Sequence, residues 1–465
     1  MSDNNGSINV PVELLRKYDR PGPRYTSYPT APVWSDKINA DSYTSALKKA
    51  SMHTDIPLAA YVHIPFCRRR CYYCGCNTYI TRSSDRVNKY IDTLIAEIKM
   101  TAGLLGGRNK ISQLHFGGGT PTYLEIDDFE KILKALEESF EFIPGCEKSL
   151  EIDPRVTTFE QLDYLASRGF NRISVGVQDV DPDVQDAIGR VQSFDLIKSV
   201  VDYCRELNFK GINIDLIYGL PKQTPERFAA SLERAVQLRP DRVALYSFAY
   251  LPDAKANQKK IIKDDLPITE IKYQLFADAV KIFTGHGYRQ IGMDHFALPE
   301  DELSIAQEDG RLYRNFMGYT VQSSPDMIGL GMSSIGYINH SFFQNYSSLD
   351  SYMKVVGENR LATYRGMILS YDDLVRQSVI MSLMCNFRLD FHDLRKKFGI
   401  DYHSYFMDEH QKLSEFFADD FLEMRNGGIG VTPVGRTFIR NIAMTFDNYL
   451  GGRLPGKKPT FSRTI

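Results

Sequence analysis

The chain has 465 residues, 43% hydrophobic and 25% charged, with a formal net charge of −2. That profile fits a soluble globular protein with one large domain plus additions, and it leaves no global electrostatic case for nucleic acid. No apolar run approaches a membrane span, the start MSDNNGSINVPVELL lacks the regions of a secretory signal, and seven cysteines make no disulfide scaffold, so the expected compartment is the cytoplasm.

Residues 1–50 form a Pro/Gly-rich, non-helical N-terminal segment, expected to close over the rest as a lid. Deleting 1–35 is then expected to abolish turnover while sparing the metal site. From 51 to 265, short apolar stretches alternate with amphipathic ones. The predicted strands are 58–64, 111–116, 149–153, 172–177, 212–217 and 242–248. The predicted helices are 86–105, 127–140, 159–167, 193–207 and 225–238. In the first of these, Val87, Tyr90, Ile91, Leu94, Ile95 and Ile98 recur at helical spacing. Six successive β-α units predict an α/β fold: a parallel sheet with helices outside, curled into a barrel or partial barrel. Residues 266–365 are expected to extend the barrel and carry part of the substrate site, with a helix over 269–284 and an extended piece over 288–294. Residues 366–465 read as a mainly helical C-terminal domain, broken by a hairpin turn at Asn426-Gly427-Gly428-Ile429-Gly430. Helices followed by a hairpin suit a winged helix, which binds nucleic acid in one reading and packs as a lid in the other. The lack of a basic recognition helix favours the lid.

In such a barrel, functional groups gather at the C-terminal strand ends. There the sequence places a cysteine run, Gly117-Gly118-Gly119-Thr120-Pro121-Thr122, Glu151 and Asp153, Gln178, Asp215, and Ala249 with Tyr250. The cysteine run reads C-x₃-C-x₂-C-x-C over Cys67, Cys71, Cys74 and Cys76. Zinc normally closes with four ligands from two separated pairs. Three bunched, asymmetric thiols suit three corners of a cubane iron–sulfur cluster and leave one iron open to a small molecule. Cys146, Cys204 and Cys385 are scattered and read as buried apolar residues. Glycines at 117–119 let backbone approach a ligand closely. Tyr72 and Tyr73 suit stacking on a ring or simple loop packing. His63 shares a strand face with Tyr61, and Asp294 with His295 invites an acid/base role that a radical route does not need.

Cys67, Cys71 and Cys74 match the motif of the radical S-adenosylmethionine (SAM) superfamily, and the chain resembles that superfamily. The resemblance narrows further. RYTSYPT at Arg24–Thr30, YVHIPFC, CGCN, HFGGGTPTYL, SLEIDPR, ISVGVQD, INIDLIYGLPKQT, IGMDHFALP, RNFMGYT, MCNFRLDF and GRTFIRNIAMTFDNYL run in the order and spacing of the oxygen-independent coproporphyrinogen III oxidases. The resemblance spans essentially the whole chain. It implies a partial (β/α)₆ radical-SAM barrel and the conversion of two propionates of coproporphyrinogen III into vinyl groups by a 5′-deoxyadenosyl radical.

It also implies a [4Fe–4S] cluster on Cys67, Cys71 and Cys74, with Cys76 nearby, and two SAM molecules. Tyr61, Gly118, Glu151 and Ile335 match positions around the first. Tyr73, Gly119, Thr120, Gln178, Arg190, Asp215 and Ala249 match positions around the second. Tyr61, Glu151 and Arg24 are the candidate catalytic residues, with Arg24 and Arg190 as forks for carboxylates. Met317 stands where the family pattern has Gln. An electron donor such as flavodoxin or ferredoxin, an electron acceptor of unknown identity and a monomeric enzyme are implied. Two relatives offer rival activities, a haem chaperone and a haem-degrading methyltransferase. The chaperones lack the RYTSYPT segment and the fourth cysteine.

Overall fold

Six parallel strands form the centre of the protein in sequence order: β1 (Leu58–Ile64), β2 (Lys110–Gly118), β3 (Glu141–Ile152), β4 (Arg172–Gln178), β5 (Gly211–Tyr218) and β6 (Arg242–Ser247). The computed structural model describes residues 10–321, 326–450 and 461–464; the ends of the expected N- and C-terminal segments and residues 322–325 of the extension lie outside them. The crossover helices are Ser84–Leu105, Ile126–Ser139, Phe159–Ser167, Phe194–Glu206 and Pro225–Gln237, close to the predicted spans. Ser83, Thr158, Ser193 and Thr224 cap four of them by accepting backbone N–H groups, which fixes where the chain turns from strand to helix.

Alternation along the strands sorts side chains by chemistry. Val62 and Ile64, Leu114 and Phe116, Leu150 and Ile152, Ile173 and Val175, and Ile214 and Leu216 belong to the core beneath the helices. Their neighbours Gln113, His115, Ser149, Glu151, Ser174, Asn213, Asp215 and Tyr246 line a cavity of about 140 Å³ inside the curled sheet. The barrel interior is therefore polar, unlike the packed Val/Ile/Leu interior of a closed eightfold barrel.

The barrel stays open. Met327–Leu330 pairs parallel with β1 and is followed outward by the antiparallel strands Ile335–Ile338, Ser341–Asn345 and Thr363–Ile368; His295–Ala297 and Arg289–Ile291 extend the β6 edge. Residues 266–365 thus widen the sheet on both sides. β3 begins eight residues before its predicted start. The strand passes through Pro144-Gly145 as a bulge, with Ile111 opposite Phe142 and Gln113 opposite Glu147.

The C-terminal domain runs helix Tyr371–Asn386, strand Arg388–Asp390, shorter helices, then the hairpin Leu422–Arg425 with Gly428–Val431 around Asn426-Gly427. That is winged-helix order, and the helices between Tyr402 and Ala418 carry Asp408, Glu409 and Glu415. The N-terminal segment, expected to be non-helical, carries helices Val12–Tyr18 and Ala40–Ala50; the second packs in the barrel core, and the part before it is built into the C-terminal domain. Tyr18, Tyr25 and Tyr28 are buried in its apolar core, and Arg440 donates to the carbonyls of Pro23 and Gly22. The segment is a fixed strap, and its Arg24 reaches the wall of the cavity at the strand ends.

Candidate active site

The loop after β1 carries the cysteines and is held from two sides. Underneath, the N–H of Gly119 donates to Ile64 O at 2.7 Å and that of Thr120 to Phe66 O at 2.9 Å. A Cβ on Gly119 would stand 2.6 Å from the carbonyl oxygen of Pro65, and one on Gly118 would strike the His63 ring at 2.6 Å. Gly118 also has φ +119°, a conformation that side chains rarely adopt. The glycine run thus brings β2 against the stem of the cysteine loop, and this contact sets where Cys67 stands. Gly119→Ala is expected to cost about 1–3 kcal/mol by overpacking and to lower the iron retained after reconstitution, measured by chemical unfolding and iron assay.

From above, Asn257 Nδ2 lies 3.0–3.1 Å from the carbonyl oxygens of Cys71, Tyr72 and Cys74. Gln258 Nε2 donates to Tyr73 O at 3.1 Å and to Ala249 O at 3.0 Å. Sequence reasoning missed both residues. They sit in an unpatterned stretch, and their partners in the cysteine loop lie some 180 residues away.

Cys67, Cys71, Cys74 and Cys76 border one cavity of about 590 Å³ at the C-terminal strand ends. Of the other predicted site residues, Arg24, Tyr73, Gly118, Gly119, Thr120, Glu151, Gln178, Arg190, Asp215 and Ala249 line the same cavity. Tyr61 and Ile335 are not in its wall. Tyr61 lies behind it, hydrogen-bonded to His63 Nδ1 at 2.9 Å and stacked on His115. Ile335 packs with Trp34 and Phe342. Met317 borders the smaller cavity inside the barrel, which shares Glu151, Asp215 and Tyr246 with the larger one.

Charge is organised around Cys71. Asp153 pairs with Arg155 at 2.7 Å and with Arg190 at 3.0 Å. Arg155 Nη2 stands 3.6 Å and Arg190 Nη1 3.8 Å from Cys71 Sγ. Burial opposes ionisation of Asp153, but the two guanidinium groups outweigh it and hold the carboxyl below its usual range. Arg155 is a further residue that the sequence reading passed over. Gln178 has φ +67° at the end of β4, a strained conformation for a residue with a side chain. Thr120 Oγ1 is 3.5 Å from Cys67 Sγ.

The two carboxylates shared by the cavities are pushed apart. Burial raises Glu151, but the hydrogen bond and charge of His115 and the Gly118 N–H at 3.1 Å bring it below its ordinary value. Asp215 is pushed up to about 7, by burial first and then by the charge of Glu151, although Asn213 and Ser174 donate to it. Between about pH 4 and about 7 the folded chain thus holds a proton that the unfolded chain has lost, and stability falls as pH rises through that window. Asp215→Asn should remove a slope of up to about 1.4 kcal/mol per pH unit, read from urea unfolding across that range.

Arg24 reaches the cavity but is already engaged. It donates to Asp294 Oδ2 at 2.9 Å and to Ser247 O at 3.2 Å. Asp294 also holds His295 at 2.8 Å. The other cations of the wall are Arg69, Arg70 and Lys255.

The donor set fits an iron–sulfur cluster. Three thiols from one short loop open onto a single roomy cavity, guanidinium N–H groups point at Cys71 Sγ and the Thr120 hydroxyl lies beside Cys67 Sγ, and polar residues continue from there. Among the described residues no three His, Cys, Asp or Glu side chains form a group of the kind that holds a single metal ion.

Comparison with known proteins agrees with this geometry. The radical SAM superfamily model matches residues 61–235. The oxygen-independent coproporphyrinogen III oxidase of Escherichia coli (strain K12) is 43% identical over 458 residues, covering 98% of this chain and 99% of that one. The Pseudomonas aeruginosa oxidase of the same description is 41% identical, covering 99% of both chains. The solved structure of coproporphyrinogen III oxidase (HemN) from Escherichia coli, described as a radical SAM enzyme, superposes with a TM-score of 0.90 at 42% identity, covering 96% of this chain and 100% of that one. Likeness at this level, end to end, together with three thiols opening on one cavity, places the chain in the family of oxygen-independent coproporphyrinogen III oxidases within the radical SAM superfamily.

Proposed function

We propose that this chain converts two propionate side chains of coproporphyrinogen III into vinyl groups, giving protoporphyrinogen IX without oxygen. The observation that carries this reading is the single cavity bordered by Cys67, Cys71 and Cys74 together with Glu151, Gln178, Arg190 and Asp215. Cys67, Cys71 and Cys74 would hold a [4Fe–4S] cluster. When bound, the cluster and SAM supply a primary carbon radical strong enough to take hydrogen from a propionate β-carbon, which no ordinary base can do; the carboxylate then leaves as carbon dioxide and one electron passes to an acceptor.

The protein's own work is positioning and exclusion of water. Glu151, kept ionised by His115 and the Gly118 N–H, offers a fixed acceptor for a cationic amino group. Arg190 and Arg155 offer forks for a carboxylate on the Cys71 side. Arg69, Arg70 and Lys255 meet the carboxylates of a tetra-acid substrate, and Arg24 joins them by sharing its guanidinium with Asp294. Phe248, Ile217 and Tyr246 give the wall its apolar stretch.

Two SAM molecules in this cavity would be divided between Gly118 with Glu151, and Tyr73, Gly119, Thr120, Gln178, Arg190, Asp215 and Ala249. Tyr61 would act on the first only through Glu151 and His63, and Ile335 only through its strand. We place the enzyme in the cytoplasm as a monomer served by a flavodoxin- or ferredoxin-like donor; no described helix is long and apolar enough to cross a membrane.

The test is an anaerobic incubation of the reconstituted protein with coproporphyrinogen III, SAM and dithionite. Protoporphyrinogen IX with two 5′-deoxyadenosine per tetrapyrrole is expected. Tight stoichiometric haem binding with neither product would overturn the reading in favour of a haem carrier.

A further inference from the structure

Two surface segments beside the cluster loop concentrate positive charge, flanked by Asp85 on one and by Asp253, Asp264 and Asp265 on the other. Residues 65–84 contain Arg68, Arg69, Arg70 and Arg82 and no carboxylate; residues 255–263 contain Lys255, Lys259, Lys260 and Lys263 and no carboxylate. The chain as a whole has a net charge of −2, so this concentration is local. The segments form one surface. Asn257 binds the carbonyls of Cys71, Tyr72 and Cys74. The Tyr72 ring has Lys260 Nζ 5.1 Å and the Arg69 guanidinium 5.8 Å from its centroid.

Among the described residues none of these eight cations has a carboxylate within ion-pair distance. Several cations elsewhere on the surface are paired, although others such as Lys48 and Lys49 are not, so it is the clustering of the unpaired charges that marks this rim. Arg16 pairs with Glu270, Lys17 with Asp419, Arg168 with Glu137 and Arg227 with Asp183. Ile80 and Ile262, one in each segment, are 44% and 64% exposed. Unpaired charge with apolar residues among it is the composition of a surface that meets an oppositely charged partner in passing.

We propose that the outer part of this rim, Arg68, Arg82, Lys259, Lys260 and Lys263, is the docking face of an acidic one-electron carrier protein that reduces the cluster, while Arg69, Arg70 and Lys255 line the cavity itself. The inference rests on the proposed reaction only in needing an electron delivered from outside. Docking here sets the carrier against the loop that bears the thiols. One electron leaves the reduced carrier and enters the oxidised cluster, with no bond made or broken. Cations of a rim act mainly on the rate of encounter and make it sensitive to salt.

The test uses the full-length, cluster-loaded protein and photochemically reduced flavodoxin as the probe. The rate of cluster bleaching is followed by anaerobic stopped-flow. The wild-type second-order rate constant should fall steeply as ionic strength rises. R68E/K259E, two exposed positions outside the main cavity wall, should lower it on the order of tenfold or more at low salt. K48E/K49E, on helix Ala40–Ala50 at the other end of β1, should leave it unchanged. Dithionite is small and needs no docking face, so dithionite-driven turnover of R68E/K259E should stay at the wild-type rate. A flat salt dependence, or equal slowing by both double variants, overturns the proposal. The bleaching rates need only the loaded cluster, so they decide the docking face whether or not the product assay supports the proposed reaction.

Discussion

Changing Cys67, Cys71 or Cys74 to Ser should remove the iron–sulfur absorbance and reduce product formation to background, whereas Cys76→Ser should keep the cluster. A serine oxygen at any of the three positions takes away one of three anchors, and a cluster retained by two thiolates is readily lost. The effect is specific because the loop itself does not depend on the thiols. Its carbonyls are tied to Asn257 and Gln258, and its stem to Gly119 and Thr120. The Ser variants should therefore fold and melt like the wild type. Iron and sulfide assays, the electron paramagnetic resonance of the reduced protein and 5′-deoxyadenosine release measure the three consequences separately. An empty Cys76→Ser protein would move the ligand set by one residue and refute the assignment made from the spacing.

Removing residues 1–35 should cost the fold as well as the activity. The sequence alone suggests a lid that can be cut away with the metal site intact. The structure gives that segment a second duty. Tyr18 packs against Phe416, Phe421 and Phe438 at 5.2–5.3 Å between ring centroids. Tyr25 donates to Asp447 at 3.0 Å, and Tyr28 accepts from the Asn448 N–H at 3.2 Å. Three buried aromatics at about 3–5 kcal/mol each reach the whole stability of an ordinary domain, about 5–15 kcal/mol. The truncated protein should aggregate or lose its near-ultraviolet circular dichroism. Arg24→Ala isolates the other duty. Arg24 is the residue of this strap that lines the cavity, so that variant should stay folded and raise the KM for the tetrapyrrole with a smaller change in kcat. A soluble, cooperatively melting truncation that keeps its cluster would show that the packing is dispensable.

The central sheet is legible because its strands alternate and four of the five crossover helices begin at a Ser or Thr cap. Its flanking strands are not. Met327–Leu330 and Ser341–Asn345 are buried along their whole length, so they carry no alternation to read, and the first pairs with β1, far away in sequence, while the second lies between Ile335–Ile338 and Thr363–Ile368. The candidate site divides in the same way. Residues at strand ends, such as Glu151, Gln178 and Asp215, follow from the topology. Asn257, Gln258 and Arg155 act through hydrogen bonds to other loops, and nothing in their own neighbourhood announces it. Family positions carried over to Tyr61 and Ile335 fix a place on the backbone, and neither side chain is among those that line the cavity.

The strict division of each strand into a wet edge and an oily edge makes the barrel intolerant of single-residue insertions. Adding one residue within β3 ahead of Ser149 would rotate Glu147, Ser149 and Glu151 out beneath the helices and turn Leu150 and Ile152 inward, where His115 and Asp215 await polar company. Length changes on the strand-end side of the β3 bulge should therefore be tolerated only in the loops, and those are the parts that hold the chemistry.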